Sequence, residues 1–224
     1  MMFMRHGLRK KRMVLIKKGA EASLYLEDWN NRKVIIKHRL PKKYRIPELD
    51  HVIRSQRTIH EPYLIHKAKE AGVPTPTIFM VNPQDSNIIM EFIEGKQIKE
   101  VLDDFTQNDR LNLCKHIGNL IGRLHNNGII HGDLTTSNMI LTPYGKVILI
   151  DFGLSERSIE LEPKGVDLHL MKRTLLSTHY EYAKECFKAL MDGYEEIVGI
   201  EEKKKIAIKI REIEKRGRYI ANRD

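Results

Sequence analysis

The chain has 224 residues, 41% of them apolar and 31% charged, with eight prolines and a formal net charge of +9. That composition builds one compact domain or two small lobes and excludes wholesale disorder. Cys114 and Cys186 lie in apolar helical patterns, pointing to buried thiols in a reducing compartment and away from a disulfide framework or zinc site. No apolar stretch approaches membrane-spanning length, and basic residues rather than a long apolar core follow Met1-Met2-Phe3-Met4. A cytoplasmic protein without membrane association or signal peptide is therefore expected.

In chain order, the first third reads as short strands. Met13-Val14-Leu15-Ile16 leads into the small-residue turn Gly19-Ala20-Glu21-Ala22-Ser23. Leu24-Tyr25-Leu26 continues beyond it to a turn at Asn30-Asn31, and the β-branched run Val34-Ile35-Ile36 ends at Lys37. Residues 48–71 read as helix, closed by Gly72 and the extended Pro74-Thr75-Pro76. Strands follow at Ile78–Val81 and Ile88–Phe92, and Glu94-Gly95 breaks the pattern as a connector. From Thr106, a plausible N-cap, Leu111, Cys114, Ile117, Ile121 and Leu124 recur at helical steps until Gly128. Further helices are predicted over about 167–192 and 200–215. Strands first and helices later make an α+β arrangement of two lobes. The N-lobe spans 1–93, with a β-sheet and one main helix. A reduced helical C-lobe spans 94–214, and a basic tail spans 215–224.

The charge is concentrated in the N-terminal third. Residues 1–18 hold seven Lys/Arg and no acid, and residues 32–45 hold seven more. Such a surface suits phosphate-rich partners such as RNA, or an acidic protein face. A Lys-rich solvated surface is the alternative, since no aromatics are interleaved as in a base-stacking platform.

Two motifs carry chemistry. His131-Gly132-Asp133-Leu134-Thr135-Thr136-Ser137-Asn138 sets an Asp and an Asn five positions apart, and Asp151-Phe152-Gly153 follows the apolar run Val147–Ile150. This is the pattern of a protein-kinase-like phosphotransferase. One rigid loop must offer a carboxylate to the attacking hydroxyl and an amide to the metal, while a second carboxylate approaches the same metal. Asp133 is thus the candidate base, and Asn138 and Asp151 are the candidate Mg²⁺ ligands. Lys37 ends its strand where such enzymes place the cation for the α/β-phosphates. Glu61 is the best candidate partner for it, although Pro62 biases Glu61 away from helix and toward a break or helix start. Gly19, Ala20, Glu21, Ala22 and Ser23 replace the usual glycine-rich loop, with Ile16 just before them. Met90 would line an adenine pocket whose edge pairs with the backbone of Glu91 and Ile93.

The departures from that pattern are informative too. Gly132 and Thr135 stand where many kinases keep an arginine and a lysine, and only residues 154–166 separate Gly153 from Asp167. An activation loop and peptide-docking segment have almost no room there. Asp167, expected at the start of the next helix, is placed to hydrogen-bond the catalytic loop from behind.

The chain resembles the small atypical kinase/ATPase subunit of the KEOPS complex, the PRPK-type family. The likeness rests on Lys18–Ala22, the run Pro41–Asp50, His131–Asn138, Asp151–Ser155, the shortened segment ending in Val166-Asp167-Leu168, and the basic C-terminus. The resemblance implies a two-lobed kinase fold binding ATP and Mg²⁺, with serine/threonine kinase and ATPase activity. It implies KEOPS partners, chiefly the threonylcarbamoyl-transferring subunit, in forming threonylcarbamoyladenosine in tRNA. It also implies tRNA contact through the basic N-lobe and a tail with Lys215, Arg216, Arg218 and Arg223. The alternatives are a RIO-type kinase, a small-molecule kinase of the aminoglycoside or sugar type, and a scaffold-only pseudokinase or tRNA-binding module.

Overall fold

The structure, a computed structural model, describes residues 13–221, with the backbone alone for 217–221. Most of the first basic run and the tail residue Arg223 lie outside the described residues. Two compact units emerge: residues up to Pro62 with Pro76–Phe92, and Tyr63–Thr75 with Ile93 onward.

The first unit is a five-stranded antiparallel sheet with most of a helix. Strands β1 (Val14–Lys18), β2 (Ser23–Trp29), β3 (Arg32–His38), β4 (Ile78–Asn82) and β5 (Asn87–Glu91) are ordered β1-β2-β3-β5-β4. The β2–β3 hairpin turns at Asn30 and Asn31, both at positive φ (49° and 61°), which asparagine tolerates better than most residues. Lys37 pairs across β2 with Leu24 and across β5 with Ile88, so it lies in the centre of the sheet. Val34, Ile88, Ile89 and Met90 form the apolar centre.

Helix α1 (Pro47–Glu70) follows β3 and continues into the second unit. Pro47 opens it with a preset φ, Glu48 and Asp50 occupy its first turn, and Lys67 and Lys69 its last. It ends in a Schellman pattern: Val73 N–H donates to Ala68 O and Gly72 N–H to Lys69 O, with Gly72 at φ 76°. The break expected near Pro62 does not occur; Pro62 lies inside the helix. A proline there forfeits one backbone hydrogen bond at a cost of about 3 kcal/mol. Burial of Thr58, Glu61, Pro62, Leu64 and Ile65 on one side of α1 offsets it.

In the second unit, β6 (Lys96–Gln97), β8 (Met139–Leu141) and β9 (Val147–Leu149) make a small sheet, and β7 (Ile129–Ile130) pairs with β10 (Glu156–Arg157). Around them stand α2 (Ile98–Val101), α3 (Gln107–Asn126), α4 (Leu161–Thr178), α5 (Ala183–Val198) and α6 (Ile200–Ala221). Thr106 caps α3, its hydroxyl accepting from Asp109 N–H. Helices α3 and α5 touch backbone to backbone: a Cβ on Gly118 would meet Leu190 O at 1.9 Å, and one on Gly193 would meet Lys115 O at 1.9 Å. Cys114 and Cys186, on these two helices, are free and buried.

Three sequence expectations need correction here. The helix predicted over 167–192 is two helices, α4 and α5, parted at His179–Tyr182. His179 leaves the helical path because its ring is tied inward: Nδ1 donates to Asp103 Oδ1 at 2.8 Å, and Nε2 lies 3.4 Å from the Thr136 hydroxyl. Asp167 does not start its helix but lies in its second turn, since α4 begins at Leu161. Helix α6 runs to Ala221, so residues 215–221 continue a helix rather than forming a separate tail. Among the described residues no helix is long and apolar enough to cross a membrane.

Candidate active site

The candidate residues form two sets, one in each unit. In the first unit, Lys37 Nζ donates to Glu61 Oε1 at 2.7 Å, with both side chains buried. The continuous α1 delivers Glu61 to the face of the sheet from which Lys37 projects. A residue that sequence reasoning missed completes the cluster. Arg39 Nη2 donates to Glu61 Oε2 at 2.5 Å. The signal was available, because residues two apart on an extended chain project to the same face. Near the start of α1, Asp50 accepts from Arg54 Nε at 2.7 Å, which holds its carboxyl below the usual range.

The small-residue turn lies between β1 and β2. Gly19 N–H donates to Ala22 O at 2.9 Å, Ala20 O accepts from Lys42 Nζ, and Glu21 pairs with Arg57 on α1. Ser23 is buried at the start of β2, whereas Ile16 on β1 is half exposed. Met90 is buried on β5 opposite Ile35. Glu91 N–H donates to Thr77 O at 2.8 Å. Ile93 falls in the second unit.

In the second unit the loop His131–Asn138 is held by its backbone. Asp167, missed only in its position along α4, accepts from His131 N–H (2.7 Å, Oδ2) and Gly132 N–H (2.8 Å, Oδ1). His125 and Tyr194 support that carboxylate: His125 Nε2 lies 3.4 Å from Asp167 Oδ2, and Nδ1 lies 3.0 Å from the Tyr194 hydroxyl. Ser155 Oγ donates to His131 O at 2.7 Å. These supporting groups are scattered through the chain, and no local spacing announces them.

Gly132 has a steric reason. Its φ is 79°, and a Cβ there would meet Leu154 O at 2.2 Å. Glycine adopts that left-handed backbone at no penalty and leaves room for the carbonyl. An arginine would fit neither.

His131 is buried, and its ring makes two contacts that set its tautomer. Asp133 N–H can only donate, so Nδ1 accepts it (3.3 Å), and Nε2 carries the proton that Ile150 O accepts (3.2 Å). Burial pushes the imidazole below its usual pKa, outweighing the upward pull of Asp167. The ring also packs on Phe152, with centroids 4.7 Å apart.

Asn138 ties itself to Asp133. Its Nδ2 donates to Asp133 Oδ2 at 2.8 Å and to Asp133 O at 2.9 Å. The amide nitrogen is thereby committed, which leaves Oδ1 as the atom able to ligate a cation. Ile150 N–H donates to Asn138 O at 3.0 Å, so Asn138 is fixed beside the strand that leads to Asp151. Asp151 stands at φ 64°, sterically costly for a residue with a Cβ and typical of a strained functional position.

Among the described residues no three or more His, Cys, Asp or Glu cluster as a metal cage. Mg²⁺ needs none: it takes one or two protein oxygens and fills its shell with water and phosphate. Asn138 and Asp151 fit that donor set.

Residues 17–189 match the protein kinase domain family. The chain is 49% identical over 213 residues to the KEOPS complex subunit Bud32 of Pyrococcus abyssi, covering 92% of this chain and 96% of that one. It is 48% identical over 205 residues to a probable bifunctional tRNA threonylcarbamoyladenosine biosynthesis protein of Methanothermobacter thermautotrophicus, covering 92% of this chain but 36% of that protein. Among solved structures, the Rio2 kinase–ADP/Mg²⁺–phosphoaspartate complex from Chaetomium thermophilum is similar in fold, with a TM-score of 0.63 at 17% identity over 92% of this chain and 72% of that one. The chain belongs to the protein kinase domain family and, within it, to the family of the KEOPS complex subunit Bud32.

Proposed function

We propose that the chain is a cytoplasmic atypical serine/threonine kinase and ATPase that uses Mg²⁺-ATP within a KEOPS complex and supports threonylcarbamoyladenosine formation in tRNA. The observation that carries this is the loop geometry: one amide, Asn138, grips both the carboxylate and the carbonyl of Asp133. A general base must be held still in the correct orientation to remove a proton from an attacking group. The resemblance to Bud32 along 92% of the chain supports the biological setting, as do the bifunctional tRNA-modifying relatives.

In this mechanism Asp133 Oδ1 orients and deprotonates a hydroxyl or water. Lys37, braced by Glu61, fixes the α/β-phosphates, and Gly19–Ser23 covers them with backbone N–H groups. Glu91 and Ile93 present backbone groups to the purine edge, with Ile16 and Met90 on its faces. Asn138 and Asp151 would hold Mg²⁺, which would supply positive charge to offset that developing on the phosphates. With α4 beginning at Leu161, little chain remains for a peptide-docking segment. Phosphate therefore goes to the protein itself, to a partner or to water. The threonylcarbamoyl-transferring subunit is the main partner, and tRNA meets the basic N-terminal region and the C-terminal basic residues.

Radiolabelled ATP turnover by the chain alone, and again with the transferring subunit and tRNA, tests this. Turnover should need Mg²⁺ and disappear in Asp151→Ala. Undiminished turnover by a folded Asp151→Ala protein would refute the site. ATP binding without hydrolysis, even with partners present, would instead favour a pseudokinase scaffold. Phosphorylation of a metabolite would favour a small-molecule kinase.

A further inference from the structure

The Glu61 carboxylate is shared by two buried cations, and the mechanism above uses only Lys37. Arg39 takes the other oxygen. It is 3% exposed, yet its Nε and Nη1 have no hydrogen-bond partner among the described residues. A guanidinium carries five N–H donors in a rigid fork, so this burial is poorly compensated. As a stabilising device that is a poor choice: methionine would fill similar volume without burying guanidinium donors that lack partners. A residue kept at the expense of stability marks a functional requirement.

We propose that Arg39 is a positioning residue of the nucleotide site: it locks the Glu61 carboxylate so that Oε1 stays on Lys37. The inference rests on Lys37 being the phosphate-binding cation. The terminal torsion of a glutamate is broad and roughly two-fold, so a carboxylate held by one oxygen can swing away. Gripped through Oε1 by Lys37 and through Oε2 by Arg39, it cannot. Both grips come from the end of one strand, so they form with the sheet itself. The Lys–Glu pair, which in many kinases depends on helix placement, is here held by a second cation from the same stretch of chain as Lys37.

The test uses the full chain as wild type, Arg39→Met, Arg39→Lys, Glu61→Gln and the Arg39→Met/Glu61→Gln double variant. Mg²⁺-ATP affinity is measured by calorimetry and the unfolding midpoint by thermal denaturation. Arg39→Met should bind Mg²⁺-ATP about tenfold more weakly, equivalent to about 1.4 kcal/mol, while melting at or above the wild-type midpoint. Arg39→Lys should recover part of the affinity. Adding Arg39→Met to Glu61→Gln should cost less than about twofold more, because both changes break the same linkage. Wild-type affinity in Arg39→Met overturns the proposal. So does a lowered midpoint or failure to fold in that variant, which would make the role structural, and so do additive losses in the double variant. Equal affinity in wild type and Lys37→Met would sink the phosphate role of Lys37 and this inference with it; failure of the Arg39 variants alone leaves that role standing.

Discussion

The Lys37–Glu61–Arg39 cluster is buried and the loop around Asp133 only partly so, and they are fixed by opposite means. In the first, charged side chains hold one another while the strand backbone is satisfied by its own ladder. In the second, the backbone itself is held, with Asp167 on two loop amides and Ser155 on a loop carbonyl. Ladder hydrogen bonds survive a change of side chain, whereas amides that lose Asp167 have no helix or sheet to fall back on. The cluster is thus separable from the fold, and the loop is not.

The largest expected effect falls on chemistry. Asp133→Asn keeps the shape and its bond from Asn138 but removes the base, so ATP turnover should fall by about 10²–10⁴-fold. Steady-state kinetics and the melting midpoint check this together, and a large drop in midpoint would mean that even this side chain belongs to the loop's framework. Asp167→Ala, next in size, should damage fold and turnover alike. The buried amide of His131 and the part-buried amide of Gly132 lose their acceptor at up to about 1–3 kcal/mol each, which for a chain of this size lowers the midpoint on the order of 10 °C. A normal midpoint would show that the loop, like the cluster, is separable from the fold. Arg39→Met should separate the two regions in the opposite sense: ATP affinity about tenfold weaker with the midpoint little changed.

The smallest effect is a pH slope. His131 has a folded-state pKa below its ordinary value because it is buried. The unfolded chain therefore takes up its proton first as pH falls, and stability present above about pH 6.5 is lost below it. Burial also lowers His116 and His169, which contribute in the same window. The expected observation is accordingly a difference: between pH 7.5 and 5.5 the wild-type midpoint should fall more than that of His131→Asn. Parallel curves would show that the imidazole's tautomer does not matter to the loop.

Much of the architecture was legible because it is written in short-range patterns. The Asn30-Asn31 turn, the capping Thr106 and the five-residue spacing from Asp133 to Asn138 each follow from local backbone geometry. The failures share a cause. Pro62 should break a helix locally, but its buried neighbours outweigh the lost hydrogen bond. His179 ends α4 without proline or glycine, because Asp103 and Thr136, distant in sequence, capture its ring. Gly132, where many kinases keep an arginine, is dictated by the carbonyl of Leu154, which packs where a side chain would begin.

From its own order of residues, then, the chain declared which side chains carry chemistry and in what succession, since motif spacing is a property of neighbouring bonds. Asp167 behind the loop and Glu61 on Lys37 were expected from the sequence, but tertiary structure alone decided the further restraints: His125 and Tyr194 behind Asp167, Ser155 on the carbonyl of His131, and His131 itself between Asp133 and Ile150. Hydrogen-bond partners and burial depend on contacts between residues far apart in the chain, and no local pattern encodes those distances.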